Sequence, residues 1–457
     1  MHIHIISIAG SMTAPIAKAL KLQGNKITGS DQERIYPPIS NILKEADIEI
    51  NNTIIDKNID LVIVGGSYNS FEKTRNEFET VKKLKIPYLS AAQYVAQYLA
   101  KENSILIAGS FGKTTITSLL AWIFSKANFN PNYMFGGKLI NKFDSTKITS
   151  SDWSIIEADE SIHGLETKAK FLYYPVKHLV LTSADWEHQD CYKTEDDNYQ
   201  AFKKLIERIP KNGTLLINNN GYKTKDLSKF AKSKVITYNS SDSDYSISKI
   251  DIQENQTELH IKTPKKTIKV TTQLLGNFNF ENILAAVALS DYLEVDTQII
   301  QKAISSFKGV ERRIELIANQ NNVLFFDDFA QSTPRVKSTI EALKTHYPNR
   351  KIKAFYLPHA SFLQYKNSLK GLKSAFEKAD QVILGKIKFN PSLDKSQRAT
   401  ASDFRQEIGN KLIYIPLEQD IIDYFNTNLK DRDIVIYMSS GSLEGHKIIK
   451  SIIKNRK

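Results

Sequence analysis

A chain of 457 residues is too long for a single ordinary hydrophobic core, and its length predicts about three domains. Charged residues make up 25% and hydrophobic residues 41% of the chain, as is usual for a soluble globular protein, and no apolar run reaches the ~18–20 residues of a membrane span. The net charge of +12 comes from lysines scattered along the chain, which favours a basic surface that helps anionic substrates over a nucleic-acid-binding face.

The chain has a single cysteine, Cys191, so an intramolecular disulfide is excluded. This is consistent with a reducing cytoplasm. The opening segment lacks a positively charged start and a signal-type cleavage site, and we interpret it as part of the fold. We therefore expect a cytoplasmic protein that acts on small molecules and has neither a membrane nor a nucleic-acid partner.

The first predicted domain, residues 1–99, alternates short apolar strands with helices, which is typical of a parallel Rossmann-like sheet. Its first strand runs into a glycine turn, and a later strand, Leu61–Val64, ends at two glycines. Ligands of such sheets bind at the carboxyl ends of the strands. The predicted binding edge comprises Gly10, Ser11, Asp31 and Gly65 to Ser67, although each glycine turn alone is weak support.

The second predicted domain spans residues 100–309, and the third spans residues 310–457. The second contains the strands SILIAG, DWSIIEADE and KHLVLTSAD, a strand-rich stretch over 213–272, and the helices TTITSLLAWIFSKA and FENILAAVALSDYL. The third contains the strands NVLFFDD, KIKAFYL, QVILGK and DIVIYMSSG and the closing helix HKIIKSIIKNRK. The predicted fold class is therefore α/β throughout.

The stretch Ile107–Thr115 (IAGSFGKTT) ends like a nucleotide-binding P-loop, although Ile107 stands where the usual spacing has a glycine. A buried strand precedes the loop and a helix follows at once, so backbone N–H groups and the helix N-terminus can face an anion. We interpret it as a shorter phosphate loop on a P-loop-type central ATPase domain, with a third, Rossmann-like domain after it. Its expected nucleotide-binding residues are Gly109, Ser110, Phe111, Gly112, Lys113, Thr114 and Thr115.

Acidic residues and a histidine follow two later strands of this domain. Glu157, Asp159 and Glu160 close one strand, and Glu187, His188 and Asp190 follow the next. Solvated loop charges are the ordinary interpretation. Their position after a phosphate loop instead favours a Mg²⁺ site at the edge of the sheet.

Several motifs, in this order and spacing, resemble the Mur ligases, which are ATP-dependent amide ligases of bacterial peptidoglycan synthesis and recycling. The loop resembles the family pattern G-T-x-G-K-T-[ST], and the two acidic strand ends resemble E-A-D-E and D-H. The adenine-side motif, the hinge motif R-R-x-E and the motif D-[YF]-A-H have counterparts at Gly276–Asn282, Arg312–Glu315 and Asp328–Gln331. The resemblance covers essentially the whole chain.

Further stretches resemble those family members that join UDP-N-acetylmuramate to the murein tripeptide L-alanyl-γ-D-glutamyl-meso-diaminopimelate. They are Gly29–Asp31 with Tyr36–Pro38, Ile86–Ser90, and Met438–Ser442. We therefore predict this ligation, which belongs to peptidoglycan recycling. The alternative within the family is ligation of L-alanine to the same nucleotide sugar.

The resemblance implies that the lactyl carboxylate attacks the γ-phosphate of ATP, and that the amine then displaces phosphate from the resulting acyl phosphate. It implies catalytic roles for Lys113, Glu157 and His188, and a Mg²⁺ site made by Thr114, Glu157 and His188. The amino-terminal domain is expected to bind UDP and the carboxyl-terminal domain the peptide.

The other implied contacts are more distant along the chain. Asn279 and Asn282 are expected to hold the adenine region, while Arg313 and Asp328 reach phosphate and ribose when the domains close. Contacts to substrate in the third domain are assigned to His359, Ser361 and Ser440.

The sequence departs from the family pattern at three positions of interest: Ser183 for Asn, Glu187 for Asp, and Gln331 for His. These changes put the rate of the ligase reaction in doubt. Lys113 is still present, so we predict an active enzyme. A nucleotide-binding regulatory protein that has lost catalysis is the alternative from another class. Some related ligases carry a carbamylated lysine near the position of Lys203, for which a solvated helix lysine is the simpler interpretation.

Overall fold

The computed structural model describes residues 1–33, 35, 39–254, 256–387, 393–441 and 443–456. The predicted features at Tyr36, Pro37, Pro38 and Ser442 lie outside these residues, as does the side chain of Ser361. The chain divides into two compact units, the first made of residues 1–251, 257–273 and 281–308, and the second of residues 252–256, 274–280 and 309–457. Within the described residues, no helix has the length and apolarity needed to cross a bilayer.

The first unit begins with a five-stranded parallel sheet of order β3-β2-β1-β4-β5. The three inner strands β2, β1 and β4 are short and largely buried, as expected for a sheet covered by helices on both faces. The elements are β1 (His2–Ile6), α1 (Thr13–Leu22), β2 (Lys26–Ser30), α2 (Ile39–Glu45), β3 (Glu49–Ile50), β4 (Leu61–Val64), α3 (Glu72–Leu84), β5 (Tyr88–Ser90) and α4 (Ala91–Tyr94).

The first unit also contains a seven-stranded sheet, of order β12-β11-β10-β6-β9-β7-β8. All neighbours pair in parallel except β8, which runs antiparallel to β7. The elements are β6 (Asn103–Ala108), α5 (Lys113–Lys126), β7 (Asn132–Met134), β8 (Thr146–Lys147), β9 (Trp153–Glu157), β10 (His178–Leu181), α6 (Glu195–Glu207), β11 (Thr214–Asn218), α7 (Thr224–Ser228) and β12 (Lys234–Tyr238).

A three-stranded sheet and two helices follow this sheet along the chain. The sheet has the order β13-β14-β15, and β14 and β15 are antiparallel. The Asp296 side chain caps the second helix by accepting from the N–H groups of Gln298 and Ile299. The elements are β13 (Ser246–Gln253), β14 (Gln256–Lys262), β15 (Thr267–Thr272), α8 (Asn277–Tyr292) and α9 (Thr297–Ser306).

The second unit is built on a six-stranded sheet of order β16-β17-β21-β18-β19-β20, in which only the β16–β17 pair is antiparallel. Its central strands β17, β18 and β21 are buried along their whole length. The elements are β16 (Glu315–Gln320), β17 (Val323–Asp328), α10 (Thr333–His346), β18 (Ile352–Tyr356), α11 (Leu372–Ala375), β19 (Gln381–Leu384), α12 (Ala401–Ile408), β20 (Leu412–Tyr414), α13 (Glu418–Asn428), β21 (Ile434–Met438) and α14 (Leu443–Lys454).

These sheets confirm the predicted three-domain α/β fold, with Rossmann-like sheets at both ends of the chain and a phosphate-loop sheet between them. The apolar runs predicted as strands form β1, β4, β6, β9, β10, β17, β18, β19 and β21. The strands missed by the sequence analysis are mostly edge strands of two or three residues, such as β3, β8 and β20. Such segments carry too few residues for a hydrophobic pattern, and they form because a longer strand offers them backbone partners.

Candidate active site

The predicted phosphate loop connects β6 to α5 at the middle of the seven-stranded sheet. Strand β6 lies between β10 and β9, with Ala108 beside Leu181 and Ile107 beside Glu157. The two strand ends that carry the acidic residues therefore flank the loop on either side. Gly112 has a φ of +79° and precedes Lys113, the first residue of α5, so the loop delivers the N-terminus of that helix to the sheet edge.

Lys113 is held back against its own loop by an acidic partner. Its Nζ donates to the carbonyl oxygen of Gly109 at 2.6 Å and lies 3.0 Å from Oε2 of Glu160, which is buried. Burial by itself lowers the pKa of Lys113, but the charges of Glu160, Asp159 and Glu157 outweigh it, so the pKa lies above its ordinary value. The ammonium is therefore charged and positioned at the phosphate loop.

Glu157, at the end of β9, uses both carboxylate oxygens. Oε1 accepts from the Thr114 hydroxyl at 2.8 Å, and Oε2 accepts from the backbone N–H of Gly136 at 2.6 Å. Burial raises the pKa of Glu157, and the bond from Gly136 and the charge of Lys113 oppose that increase. The carboxylate is thus fixed beside the first turn of α5.

His188 contacts the two acids that follow Glu157. Its Nε2 lies 3.5 Å from Oε1 of Glu160 and 3.9 Å from Oδ1 of Asp159, and one ligand atom from each of these three residues lies within 4.8 Å of the others. Burial acts to raise the pKa of Asp159, but the nearby Lys170 ammonium outweighs it and holds the pKa below its ordinary range. Glu187 is exposed at the surface.

The residues predicted to bind the metal therefore lie in two separate sets of contacts. Thr114 contacts Glu157, whereas His188 lies with Asp159 and Glu160. Glu160 was singled out in the sequence only as one of several acids at a strand end. Its pairing with Lys113 depends on β9 lying next to β6, and local sequence gives no sign of that adjacency.

The segment after β10 supports the phosphate loop from one side. The N–H of Ser110 donates to the carbonyl oxygen of Ser183 at 3.1 Å, and the hydroxyl of Thr182 donates to the carbonyl oxygen of Phe111 at 2.7 Å. The Ser183 hydroxyl also donates to Asp185 and accepts from the N–H of Tyr222. Serine at this position therefore has defined partners, and its contact with the loop runs through the backbone.

A side chain at either of two loop glycines would be strained, because both have a positive φ. A Cβ at Gly109, whose φ is +120°, would lie 2.6 Å from the carbonyl oxygen of Ser183, and a Cβ at Gly112 would lie 2.3 Å from Oδ1 of Asn282. Asn282 of α8 thus packs against the loop itself. Asn279, one turn earlier in the same helix, donates from its amide to the carbonyl oxygen of Leu275 at 2.8 Å.

Side chains of the amino-terminal sheet also gather at the carboxyl ends of its strands. Oδ2 of the buried Asp31, just after β2, accepts from the N–H of Ala9 at 2.7 Å, which ties Asp31 to the Gly10 turn after β1. Ser11 and Ser67 are both exposed, on the loops after β1 and β4. Within the predicted edge, the structure thus links Asp31 to the loop after β1.

In the second unit, the carboxylate of Asp328 accepts from the N–H groups of Ala330 at 2.6 Å and Ile314 at 2.8 Å. Burial raises its pKa to about 6, against the opposing charge of Arg313.

The guanidinium groups of Arg312 and Arg313 lie 5.0 and 6.0 Å from the ring centre of Phe329, a geometry typical of cation–π contacts. Arg312 also donates to the carbonyl oxygen of Ser439, a link that sequence analysis missed.

Gln331 occupies the position where the family pattern has histidine. Its Oε1 accepts from the N–H of His359 at 2.9 Å, and its Nε2 donates to the carbonyl oxygens of Leu357 at 3.3 Å and Met438 at 3.2 Å. A Cβ added at Gly441 would lie 3.6 Å from Nδ1 of His359, so the imidazole is close to this glycine, which follows the half-buried Ser440. The buried amide of Gln331 thus links the carboxyl ends of β17, β18 and β21.

Lys203 lies on α6, and its Nζ is 4.2 Å from the ring centre of Phe230. This is a cation–π contact of an ordinary helix lysine. The contact is compatible with the simpler interpretation of Lys203 as a helix lysine, and its carbamylation is not proposed.

A parallel sheet with a phosphate loop, a lysine at the helix start and carboxylates on the flanking strands defines a nucleotide-dependent, phosphoryl-transferring type of enzyme. Three family models match the chain in succession: the Mur ligase family catalytic domain over residues 2–103, the Mur ligase middle domain over 107–290, and the Mur ligase glutamate ligase domain over 312–441.

Known proteins match along nearly the full length. The UDP-N-acetylmuramate–L-alanine ligase of Alkaliphilus metalliredigens is 31% identical, over 97% of this chain and 95% of its own. The enzyme of the same name from Pelagibacter ubique is 29% identical, over 96% of each chain.

Solved structures share the fold. A UDP-N-acetylmuramate–alanine ligase from Thermotoga maritima has a TM-score of 0.77 at 17% identity, over 98% of both chains. A murein peptide ligase from Psychrobacter arcticus has a TM-score of 0.69 at 23% identity, over 99% of this chain and 98% of its own. The UDP-N-acetylmuramate:L-alanyl-γ-D-glutamyl-meso-diaminopimelate ligase from Neisseria meningitides has a TM-score of 0.60 at 25% identity, over 68% of this chain and 99% of its own.

The chain belongs to the Mur ligase family. It is an ATP-dependent amide ligase, an enzyme that forms a C–N bond.

Proposed function

We propose that this enzyme activates the carboxylate of UDP-N-acetylmuramate with ATP and joins it to the amino group of L-alanine. Eight relatives at 25–31% identity that cover nearly the whole chain carry that activity in their names. This support favours L-alanine over the tripeptide that the sequence motifs predicted. The structural observation that carries the proposal is the ammonium of Lys113, held at the phosphate loop between Gly109 and Glu160.

Phosphoryl transfer from ATP to a carboxylate brings two anions together, so positioning and charge neutralisation are the main tasks of the protein. Lys113 is charged and needs only to turn from Glu160 towards a phosphate oxygen. The N–H groups at the start of α5 face the same edge of the sheet and bind phosphate oxygens through the positive end of the helix dipole.

The residues around the loop fit Mg²⁺, which prefers oxygen ligands. The Thr114 hydroxyl and the Glu157 carboxylate lie 2.8 Å apart, and Asp159, Glu160 and His188 offer a second set of donors within 4.8 Å. Three carboxylates near Lys113 leave an excess of negative charge that favours a cation. When bound, Mg²⁺ neutralises phosphate oxygens and so favours attack by a carboxylate.

The reaction runs in two balanced steps. The carboxylate oxygen attacks the γ-phosphorus, the bond to the β-phosphate oxygen breaks, and ADP leaves. The amine nitrogen then attacks the acyl carbon, the C–O bond to phosphate breaks, and the amine proton passes to solvent or a basic group.

The amino-terminal edge around Asp31 is proposed to bind the UDP portion. Asn279 and Asn282 are proposed to bind the adenine region, and Arg313 and Asp328 to bind phosphate and ribose.

Ligation of the murein tripeptide is the second candidate, and it would place the enzyme in peptidoglycan recycling. The Neisseria meningitides ligase, named for that tripeptide, is 25% identical over 68% of this chain. In the second unit, His359 and Ser440 lie at the strand ends linked by Gln331, and they are the proposed contacts for either amine.

An amine panel tests both candidates. Purified enzyme with UDP-N-acetylmuramate and Mg-ATP is given L-alanine, the tripeptide or glycine, and phosphate release is measured against a Lys113→Ala control. We expect the largest kcat/KM with L-alanine. A larger value with the tripeptide would reverse the assignment of the amine, and binding of ATP without phosphate release by any amine would indicate a regulatory protein.

A further inference from the structure

A second group of metal-binding side chains lies beside the candidate active site. One ligand atom each from His163, Asp190 and Cys191 lies within 4.8 Å of the others. His163 belongs to the loop after β9, whereas Asp190 and Cys191 belong to the loop after β10. None of the roles proposed above uses His163 or Cys191.

We propose that His163, Asp190 and Cys191 form a binding site for a thiophilic divalent cation such as Zn²⁺. Sulfur, imidazole nitrogen and carboxylate oxygen together are the donors of three-ligand zinc sites that keep a fourth position open for water. The same set is poor for Mg²⁺, which demands oxygen ligands. This donor set differs from that of Asp159, Glu160 and His188, which contains no sulfur.

The sulfur is held in place by the backbone of the residue before His163. Sγ of Cys191 accepts from the N–H of Ile162 at 3.3 Å and lies 3.5 Å from its carbonyl oxygen, so the two loops are linked next to the imidazole. His163 is also positioned from the other side. A Cβ added at Gly66 would lie 3.0 Å from Cβ of His163, which means that the residue packs against the glycine loop after β4.

Small movements complete the site. Ligand atoms of a tetrahedral zinc ion are about 3.3–3.7 Å apart, so the three atoms need to close by roughly 1 Å. The side chains of His163 and Asp190 are exposed, which leaves the imidazole and the carboxylate room to rotate towards the better-fixed sulfur. As the metal–sulfur bond forms, the thiol proton passes to solvent.

Binding there also affects the neighbouring cluster. Oδ1 of Asp190 lies 3.8 Å from Nδ1 of His188. A cation that engages the Asp190 carboxylate competes with His188 for it. The site therefore connects a soft metal ion to a histidine of the proposed Mg²⁺ site, although its occupation does not depend on the ligase reaction.

Cobalt(II) tests the proposal without any assay of activity. The full-length, reduced and metal-free protein is titrated with Co²⁺ in the presence of excess Mg²⁺, and thiolate-to-cobalt charge transfer is followed in the near ultraviolet. Because Cys191 is the only cysteine in the chain, this absorption reports on a single position. We expect a band that saturates at one equivalent and disappears when Zn²⁺ is added.

Two variants and a control separate the site from adventitious binding. Cys191→Ser should abolish the band, and His163→Ala should weaken Co²⁺ binding at least about tenfold while keeping the Cβ that packs against Gly66. His260→Ala, on the remote strand β14, should leave binding unchanged. As a second readout, bound Zn²⁺ should slow the alkylation of the Cys191 thiol. This protection should be lost in His163→Ala.

Three results would overturn the proposal. They are Co²⁺ binding without charge transfer, a band of equal affinity in His163→Ala, and alkylation that Zn²⁺ does not slow. None of these results bears on ligase activity, so failure here leaves the proposed reaction intact.

Discussion

The Nζ atom of Lys113 lies 3.0 Å from Oε2 of Glu160, three residues beyond the end of β9, the strand next to the phosphate loop. The lysine of the phosphate loop is thus already paired with a buried carboxylate. In the function proposed above, an ATP phosphate would compete with Glu160 for the same ammonium.

Lys113→Met should abolish phosphate release, with a loss of at least about 10²–10³ in kcat, because a positive charge on the transferring phosphoryl group is removed. It should also destabilise the protein by about 3–5 kcal/mol, since Glu160 is left buried without its partner. The double variant Lys113→Met/Glu160→Gln removes that unpaired charge. It should regain most of the stability and none of the activity, as measured by urea denaturation and phosphate release.

Recovery of activity in the double variant would contradict the assignment of Lys113 to phosphate. Equal stability of the single and double variants would show instead that the ion pair contributes little to folding.

Glu160→Gln keeps a hydrogen-bond acceptor for Lys113 but removes one carboxylate from the group with Asp159 and His188. If that group holds Mg²⁺, the Mg²⁺ concentration for half-maximal phosphate release should rise about tenfold or more. Binding of ATP through Lys113 should persist. Glu207→Gln, at the exposed end of α6, is the matched control and should behave as the wild type.

An unchanged Mg²⁺ dependence in Glu160→Gln, together with normal phosphate release, would assign Glu160 to the positioning of Lys113 alone.

The fold and the site differ in how much of them can be predicted from sequence. The strand, glycine turn and helix around Gly109–Lys113 form a local pattern, so the phosphate loop could be predicted from that segment. The pairing of Lys113 with Glu160 depends on which strands are neighbours, and that order is set by the packing of the whole sheet. Glu157 was found because it ends an apolar strand, whereas its bond to Gly136 depends on the backbone of a loop after β7.

Departures from a family pattern are equally hard to evaluate from sequence. Ser183 and Gln331 suggested weaker contacts with nucleotide or substrate. In the structure, Ser183 contacts the phosphate loop through its carbonyl oxygen, which any residue provides, and Gln331 uses both ends of its amide.

Gln331→Met should therefore destabilise the protein by about 2–4 kcal/mol, because a side chain of similar length can neither accept from the N–H groups of His359 and Ala360 nor donate to the buried carbonyl oxygen of Leu357. Gln331→His, which restores the residue of the family pattern, should cost less, since an imidazole offers one donor and one acceptor. Urea denaturation of the two variants gives the comparison. A histidine variant no more stable than the methionine variant would contradict the amide's role as a link between the strand ends.

The buried Asp328 should make the stability of the protein depend on pH near neutrality. Its pKa is raised from 3.8 to about 6 because burial disfavours the carboxylate, so the folded state binds a proton that the unfolded chain has already lost between those values. The stabilisation is fully present below about pH 4 and is lost as the pH rises through about 6, for a change on the order of 3 kcal/mol.

Asp328→Asn does not titrate, although its amide disrupts one of the bonds from Ala330 or Ile314 and lowers stability at every pH. The difference in unfolding free energy between wild type and variant, measured by urea denaturation from pH 4 to pH 7.5, should thus shrink as the pH rises. A difference that stays flat over this range would mean that Asp328 is ionised in the folded protein throughout, with the charge of Arg313 outweighing the effect of burial.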